Sequence, residues 1–267
     1  MKGTTKSLGQ KNKLDKFYTK SSIAKLCLSQ LDLSQYDFIL EPSAGNGSFS
    51  HLIPNCYAID IEPESEDIIK QDFFLYEPEN KNKILVIGNP PFGQQSNLAL
   101  RFFNHAAEFA DTIAFILPKS FKKISLQNQL DLNFLLKSEL DLPQNSFILD
   151  QKDYDVPCVF QIWEHSETAR EKIKMKTTTS LFEFTKNISE ADFRIQRVGG
   201  NAGKAFLDKN GALASNYYLI NKTNILTEEL IEKLNTIEYP SITFTVGPKS
   251  LSKGELVLEI ENLLIDN

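Results

Sequence analysis

Cysteine is scarce in this chain of 267 residues: there are three, and Cys27, Cys56 and Cys158 stand far apart in apolar surroundings. That excludes a disulfide framework and a Cys-x-x-Cys metal site, and leaves reduced core thiols as the expectation. Histidine is as thin, with His51, His105 and His165 scattered singly, so no imidazole cluster suggests a metal and none is expected. No run approaches the ~18 apolar residues of a membrane span, and the first residues are polar and lysine-rich without the apolar core of a secretion signal. A soluble, cytoplasmic protein with no membrane partner is expected; nothing in the sequence speaks to its oligomeric state. Positive charge is also in deficit. At a net charge of -6 the whole chain repels a polyanion, so a nucleic-acid partner requires its cations to be gathered on one side.

What is present is a core. Apolar residues make up 41% of the chain, enough for one large domain and a small one. Residues 1–16 carry lysines and almost no apolar side chains, and read as a flexible basic arm. Ser21-Ser22 opens a helix with Ile23, Leu26, Cys27 and Leu31 at helical spacing. Short apolar runs then end, one after another, in polar residues. Phe38-Ile39-Leu40 leads into Glu41-Pro42-Ser43-Ala44-Gly45-Asn46-Gly47-Ser48-Phe49, where the glycines permit a sharp bend and a close approach to the backbone. Cys56-Tyr57-Ala58-Ile59 ends in Asp60, and Ile68-Ile69 leads to Asp72-Phe73. At strand ends of an open α/β sheet a carboxylate faces the ligand crevice, so Asp60 suits a pair of ribose hydroxyls, and Asp72 with Phe73 suits the amino group and face of an adenine.

The run Ile84-Leu85-Val86-Ile87-Gly88 stops at Asn89-Pro90-Pro91-Phe92. Each proline fixes its own φ and holds the residue before it extended. Pro90 has no N–H and offers only its carbonyl, and the Asn89 side chain adds a second acceptor oxygen. Two acceptors can converge on one planar amino group while Phe92 supplies a ring for stacking. Taken alone, the tetrapeptide serves equally as a turn after a strand.

Together these segments resemble the S-adenosylmethionine-dependent amino-methyltransferases, and within them the N6-adenine enzymes whose tetrad is Asn/Asp-Pro-Pro-aromatic. The resemblance covers about residues 16 to 165. It implies S-adenosyl-L-methionine as cofactor, held by Glu41, Pro42, Ala44, Gly45 and Gly47, by Asp60 at the ribose, by Asp72 and Phe73 at the adenine, and by Asn89. Phe17-Tyr18-Thr19 is similar to the segment that closes over the methionine end. Asn89, Pro90, Pro91 and Phe92 become the catalytic residues, with Phe92 against the target base. The implied fold is α/β, a Rossmann-like class I methyltransferase sheet with helices on both faces over residues 17–165, followed by a small α+β substrate-recognition domain at 166–267. The implied activity is that of a site-specific DNA-methyltransferase (adenine-N6-specific), because the cofactor loop precedes the tetrad, as in enzymes with a carboxyl-terminal recognition domain. An RNA adenine or guanine amino-methyltransferase would share the catalytic half. A protein-glutamine N-methyltransferase shares the tetrad but carries an amino-terminal helical domain for which this chain leaves no room.

Beyond the tetrad, Leu98, Phe102, Phe103, Ala106 and Phe109 trace an amphipathic helix, Thr112 to Leu117 another buried strand, and Asp155 to Trp163 a final one. Pro118-Lys119-Ser120-Phe121 ends the strand from Thr112 at the crevice; Phe121 reads either as core or as a second wall for the base. Between Ser166 and Lys209 nine cations outnumber six acids. There Arg194, Arg197 and Lys204 surround a glycine-rich loop, Val198-Gly199-Gly200-Asn201-Ala202-Gly203, which reads equally as a hairpin turn or a grip on nucleic-acid phosphates. Tyr217 to Ile220, Ile242 to Val246 and Leu256 to Ile260 are expected as strands, with a helix capped by Thr227 and carrying Glu228 and Glu229 in its first turn.

Overall fold

The computed structural model describes residues 17–78 and 82–264; the expected basic arm at 1–16 lies outside them. The chain divides into two units, the first formed by 1–118 and 129–171, the second by 119–128 and 172–267. The division therefore falls a few residues beyond the 165/166 boundary expected above, and 119–128 joins the later segment. Hydrogen bonds explain that grouping: Lys123 Nζ donates to the Ser250 carbonyl at 3.0 Å, and the Asn128 amide pairs with the Ile173 backbone at 2.9 and 3.1 Å.

In the first unit, β1 (Tyr18–Thr19) and α1 (Ser21–Leu28) precede β2 (Phe38–Glu41), β3 (Tyr57–Asp60), β4 (Ile69–Lys70), β5 (Ile84–Gly88), α2 (Asn97–Ala106) and β6 (Thr112–Pro118). Then come β7 (Phe134–Asp141), β8 (Phe147–Leu149), β9 (Lys152–Tyr154) and β10 (Cys158–His165). Seven strands form one sheet in the order β4-β3-β2-β5-β6-β10-β7. Strands β4 through β6 run parallel, and β10 inserts antiparallel between β6 and β7. This is the Rossmann-like mixed α/β sheet that the resemblance implied.

The burial pattern explains the sequence pattern. Strands β5 and β6 are buried along their whole length, as central parallel strands covered on both faces must be, so they read as unbroken apolar runs. Edge strand β7 buries Phe134 and leaves most other positions exposed, among them Lys137 and Glu139, charges that discourage further pairing. Helix α2 buries Ala99, Leu100, Phe102, Phe103 and Ala106 at helical spacing, and the Phe103 ring meets Trp163 of β10 edge-on at 5.5 Å. Other connections are tight, such as the 3-10 turns Ser50–Leu52 and Phe73–Leu75. From β2 the chain moves to β3 on one side and later to β5 on the other. The carboxyl ends of β2 and β5 thus flank the switch point at which such sheets open a crevice. A separate small sheet, β1-β8-β9, brings Tyr18 opposite Ile148.

The second unit holds α3 (Ile124–Gln127), β11 (Phe182–Thr185), β12 (Phe193–Gln196), β13 (Ala205–Phe206), β14 (Asn216–Asn221), α4 (Thr227–Leu234) and α5 (Lys253–Leu264). Its four strands form an antiparallel sheet, β11-β14-β12-β13, over a core that includes Phe193, Ile195, Leu219, Leu230 and Leu256. The unit is the expected α+β, but two of its elements differ from expectation. Ile242 to Val246 is no strand; Pro240–Thr243 forms a 3-10 turn there. Leu256 to Ile260 lies inside helix α5, where Leu256, Val257 and Ile260 recur at helical spacing and are buried. Helix α4 begins at Thr227, with Leu226 rather than Thr227 in the capping position. No helix among the described residues is long and apolar enough to cross a membrane.

Candidate functional site

Four strand ends of the first unit surround a cavity of about 420 Å³, within the range of roughly 300–1,000 Å³ usual for small-molecule sites. Glu41 closes β2, Asp60 closes β3, Asp72 follows β4 and Asn89 follows β5, and all four line it. Nothing local brings them together; the parallel register of the sheet does.

The loop after β2 forms one wall through Pro42, Ala44 and Gly45. Gly45 has φ +56°, and a Cβ there would sit 3.5 Å from the Tyr18 ring. Its N–H donates to Asp60 Oδ2 at 2.8 Å, and the Glu62 N–H donates to Asp60 Oδ1 at 2.7 Å. Each oxygen has accepted one backbone donor and keeps a lone pair for another, the capacity a vicinal diol needs. Gly47 has φ +80° but does not line the cavity; the His51 ring lies 2.5 Å from where its Cβ would be.

Glu41 is 2% exposed, and its Oε2 accepts from the Ser50 N–H at 2.7 Å. Burial pushes its carboxyl up to about 8, with Asp60 adding to the rise and the Ser50 and Phe49 donors opposing it.

Asn89 presents the least satisfied atom of the site. Its Oδ1 is buried and has no hydrogen-bond partner, while its backbone carbonyl accepts from Ser43 Oγ at 3.3 Å. Pro90 and Pro91 line the cavity beside it. Phe92 does not. It is 7% exposed and meets Phe17 edge-on at 5.2 Å, and Phe17 in turn packs on Phe147 and Tyr154. The Phe92 carbonyl accepts from the Leu98 and Ala99 N–H groups at 3.2 and 3.4 Å, tying the tetrad to the start of α2.

At the other end, Asp72 accepts from the Phe74 N–H at 2.9 Å and Phe73 packs on Phe102 with centroids 5.0 Å apart. Arg101, which no motif marked, stacks its guanidinium 4.3 Å from the centre of the Phe74 ring and is the one cation lining the cavity among the described residues. Tyr18 and Glu64 were also not legible as a pair. They lie 46 residues apart, yet the Tyr18 hydroxyl donates to Glu64 Oε1, and both line the cavity with Phe17 and Thr19. With Asp60, Glu62, Glu64 and Asp72 against one arginine, the cavity suits a cationic ligand that carries a nucleoside.

The remaining candidates belong to the second unit. Lys119 and Phe121 lie in the 3-10 turn Lys119–Lys122, and Phe121 is fully buried, which makes it core and not a wall open to a base. Arg194, 8% exposed, donates to both Asp208 oxygens at 2.9 and 3.0 Å and to Asn216 Oδ1 at 2.9 Å. Its guanidinium is committed inside the unit, so it is not the expected phosphate grip. Arg197 lies 5.3 Å over the Tyr217 ring, and Lys204 Nζ donates to the Asn235 carbonyl at 3.0 Å.

No family model and no curated protein matches the sequence. Among solved structures, the chain is similar to a proposed RNA methyltransferase, PH1948, from Pyrococcus horikoshii, at 19% identity over 57% of this chain and 88% of that one, with a TM-score of 0.42. It is similar to the modification subunit of a proposed type I restriction enzyme from Vibrio vulnificus YJ016, at 15% identity over 57% of this chain and 45% of that one, with a TM-score of 0.41. A 23S rRNA methyltransferase, ErmE, shares 13% identity over 57% of this chain and 71% of that one, also at 0.41. Likeness at this distance carries no argument, and both fold and chemistry rest on the residues themselves.

Proposed function

We propose that the chain is an S-adenosylmethionine-dependent methyltransferase acting on an exocyclic amino nitrogen of a nucleic-acid base, with the adenine N6 of DNA as substrate and RNA as the alternative. The observation that carries this reading is the buried, unpartnered Oδ1 of Asn89, a residue that lines the cavity. A buried acceptor without a donor is costly, by about 1–3 kcal/mol, and such a group persists where a ligand supplies the partner. The cofactor fits the remaining residues: Asp60 would hold the ribose, Asp72 and Phe73 the adenine, and Gly45 leaves room at the loop. When bound, S-adenosylmethionine supplies an electrophilic methyl group.

The chain's own contribution is orientation and polarisation. An amino group conjugated to a purine is a weak nucleophile, because its lone pair is delocalised into the ring. Accepting its two N–H bonds at Asn89 Oδ1 and the Pro90 carbonyl favours a pyramidal nitrogen and aims the lone pair. The prolines hold those oxygens in place, and the Phe92 carbonyl anchors the bend to α2. Fixing reactants in line is worth up to about 7–11 kcal/mol in favourable cases. The base must leave a duplex, or be unpaired already, to reach these atoms.

Incubation with methyl-labelled cofactor and separate DNA, RNA and protein pools tests the proposal. Label should appear in N6-methyladenine of DNA; label in RNA alone reassigns the polymer, and label in none, with cofactor demonstrably bound, overturns the reading. The Asn89→Ala variant should bind cofactor normally by calorimetry and lose about 10²–10³-fold in turnover, the usual cost of removing one polar group aimed at a transition state.

A further inference from the structure

The cavity floor contains an acid that the proposed transfer chemistry does not use. Glu41 ends β2 with its stem packed on Gly88; a Cβ at Gly88, whose φ is +153°, would lie 3.3 Å from Glu41 Cγ. Gly88 directly precedes Asn89, so this carboxyl stands at the transfer end of the cavity and not at the end marked by Asp72. The titratable groups facing it are Asp60 on β3 and the Cys56 thiol just before β3, itself pushed up to about 12 by burial and hence neutral. From the turn at Ser50–Leu52 and the residue before it come the Ser50 hydroxyl and the backbone N–H groups of Ser50 and Phe49, all of which favour the ionised form, and β5 brings Gly88, which has no charge to offer. Glu62, Glu64, Asp72 and Arg101 line the same cavity, and among the described residues no cation acts on the Glu41 carboxyl.

We propose that Glu41 is a proton-exchanging residue, which keeps its proton in the empty cavity and releases it to solvent when a cationic ligand settles against it, so that ligand binding is coupled to pH. This deepens the S-adenosylmethionine reading of the cavity and rests on it. One O–H bond breaks, the proton goes to buffer, and a neutral acid beside a cation becomes an ion pair. An uncompensated carboxylate in so desolvated a place is costly, and a ligand that brings positive charge removes the cost. Because the carboxyl titrates near 8 in the absence of ligand, affinity should rise about tenfold per pH unit below that value and level off above it.

Titration calorimetry with S-adenosylmethionine, repeated at neutral pH in buffers of different ionisation enthalpy, reads the proton directly. Wild-type protein should release close to one proton per ligand bound, and Glu41→Gln should release none and lose the pH slope of affinity. Binding with the same heat in every buffer overturns the inference and leaves the site reading intact, whereas no binding at all overturns both. Release that persists in Glu41→Gln assigns the proton elsewhere and also overturns it. Should that variant fail to fold, difference infrared spectroscopy of the wild type decides: the band of a protonated carboxyl should disappear on ligand addition, and its persistence overturns the proposal.

Discussion

Two loops of this chain are nearly alike in composition and opposite in use. Glu41 to Phe49 and Val198 to Lys204 each contain glycines at positive φ, +56° and +80° at Gly45 and Gly47, +105° and +92° at Gly199 and Gly203. In the second loop the space beside Gly199 and Gly203 is filled from within its own unit, and that beside Gly200 is open. The Tyr239 ring lies 2.7 Å from where a Gly203 Cβ would be, and Gln196 Nε2 lies 3.0 Å from that of Gly199. Its amides are also spent on carbonyls: Gly199 donates to Lys249 at 2.9 Å and Gly203 to Gln196 at 2.8 Å. In the first loop the space beside Gly45 borders the cavity, and its N–H positions a carboxylate at the end of the neighbouring strand. Glycine content describes backbone freedom. Whether that freedom serves a ligand depends on where the sheet puts the loop, and only the first lies at a switch point of parallel strands.

The contrast predicts opposite consequences for the same kind of change. Gly203→Ala should cost about 2–4 kcal/mol of stability, combining a left-handed residue with overpacking against Tyr239, and should leave S-adenosylmethionine affinity within about twofold. Chemical denaturation and calorimetry on the same variant check both halves; a variant of normal stability and weakened affinity would dissolve the distinction between the loops. The acid at the head of the first loop gives the next effect. The Glu41 carboxyl titrates near 8 when folded against 4.5 for the ordinary group, burial being the main cause. The folded state then binds the extra proton between those values, so stability should fall as pH rises through that window. Glu41→Gln should flatten this dependence and be the more stable protein above pH 8. Denaturant midpoints at pH 5, 7 and 9 supply the measurement.

The distinction between the loops was legible in sequence where strands announced it. Parallel strands buried on both faces need unbroken apolar runs, so Ile84 to Gly88 and Thr112 to Leu117 stood out, and Asn89, which ends the first run, marked a place on the cavity, whereas Lys119 after the second does not line it. The second unit was harder. Leu256 to Ile260 looked like a strand by its apolar content, yet Ser252 and Glu255 form a reciprocal capping box, with Ser252 N to Glu255 Oε2 at 2.7 Å and Glu255 N to Ser252 Oγ at 3.2 Å. That pattern is readable, and it outweighed β-propensity. Arg101 and the Tyr18–Glu64 pair left no such signal. An exposed arginine on a helix looks like any solvated one, and a contact spanning 46 residues is created by the sheet and encoded in no local pattern. Phe92 shows the reverse limit: the motif supplied an aromatic ring, and the neighbouring ring of Phe17 determined which way it faces.

The smaller effects sharpen the comparison further. Gly45→Ala keeps ordinary van der Waals distance to Tyr18, so its cost to stability is chiefly the left-handed backbone, about 1 kcal/mol, and the methyl group added to the cavity wall should lower cofactor affinity by roughly tenfold. Lys204→Ala should do least of all. Its ammonium donates to the Asn235 carbonyl at an exposed site, so stability should move by less than about 0.5 kcal/mol. The informative readout is nucleic-acid binding as a function of salt. A lysine that neutralises a phosphate contributes about one unit to the slope of log affinity against log salt, and its removal weakens every sequence alike. With the N–H groups of Gly199, Ala202, Gly203 and Lys204 already donating to carbonyls, most of the amides of the second loop are spent, and the slope should be unchanged. A slope reduced by about one would make Lys204 a phosphate contact after all, and would give the second loop a ligand of its own.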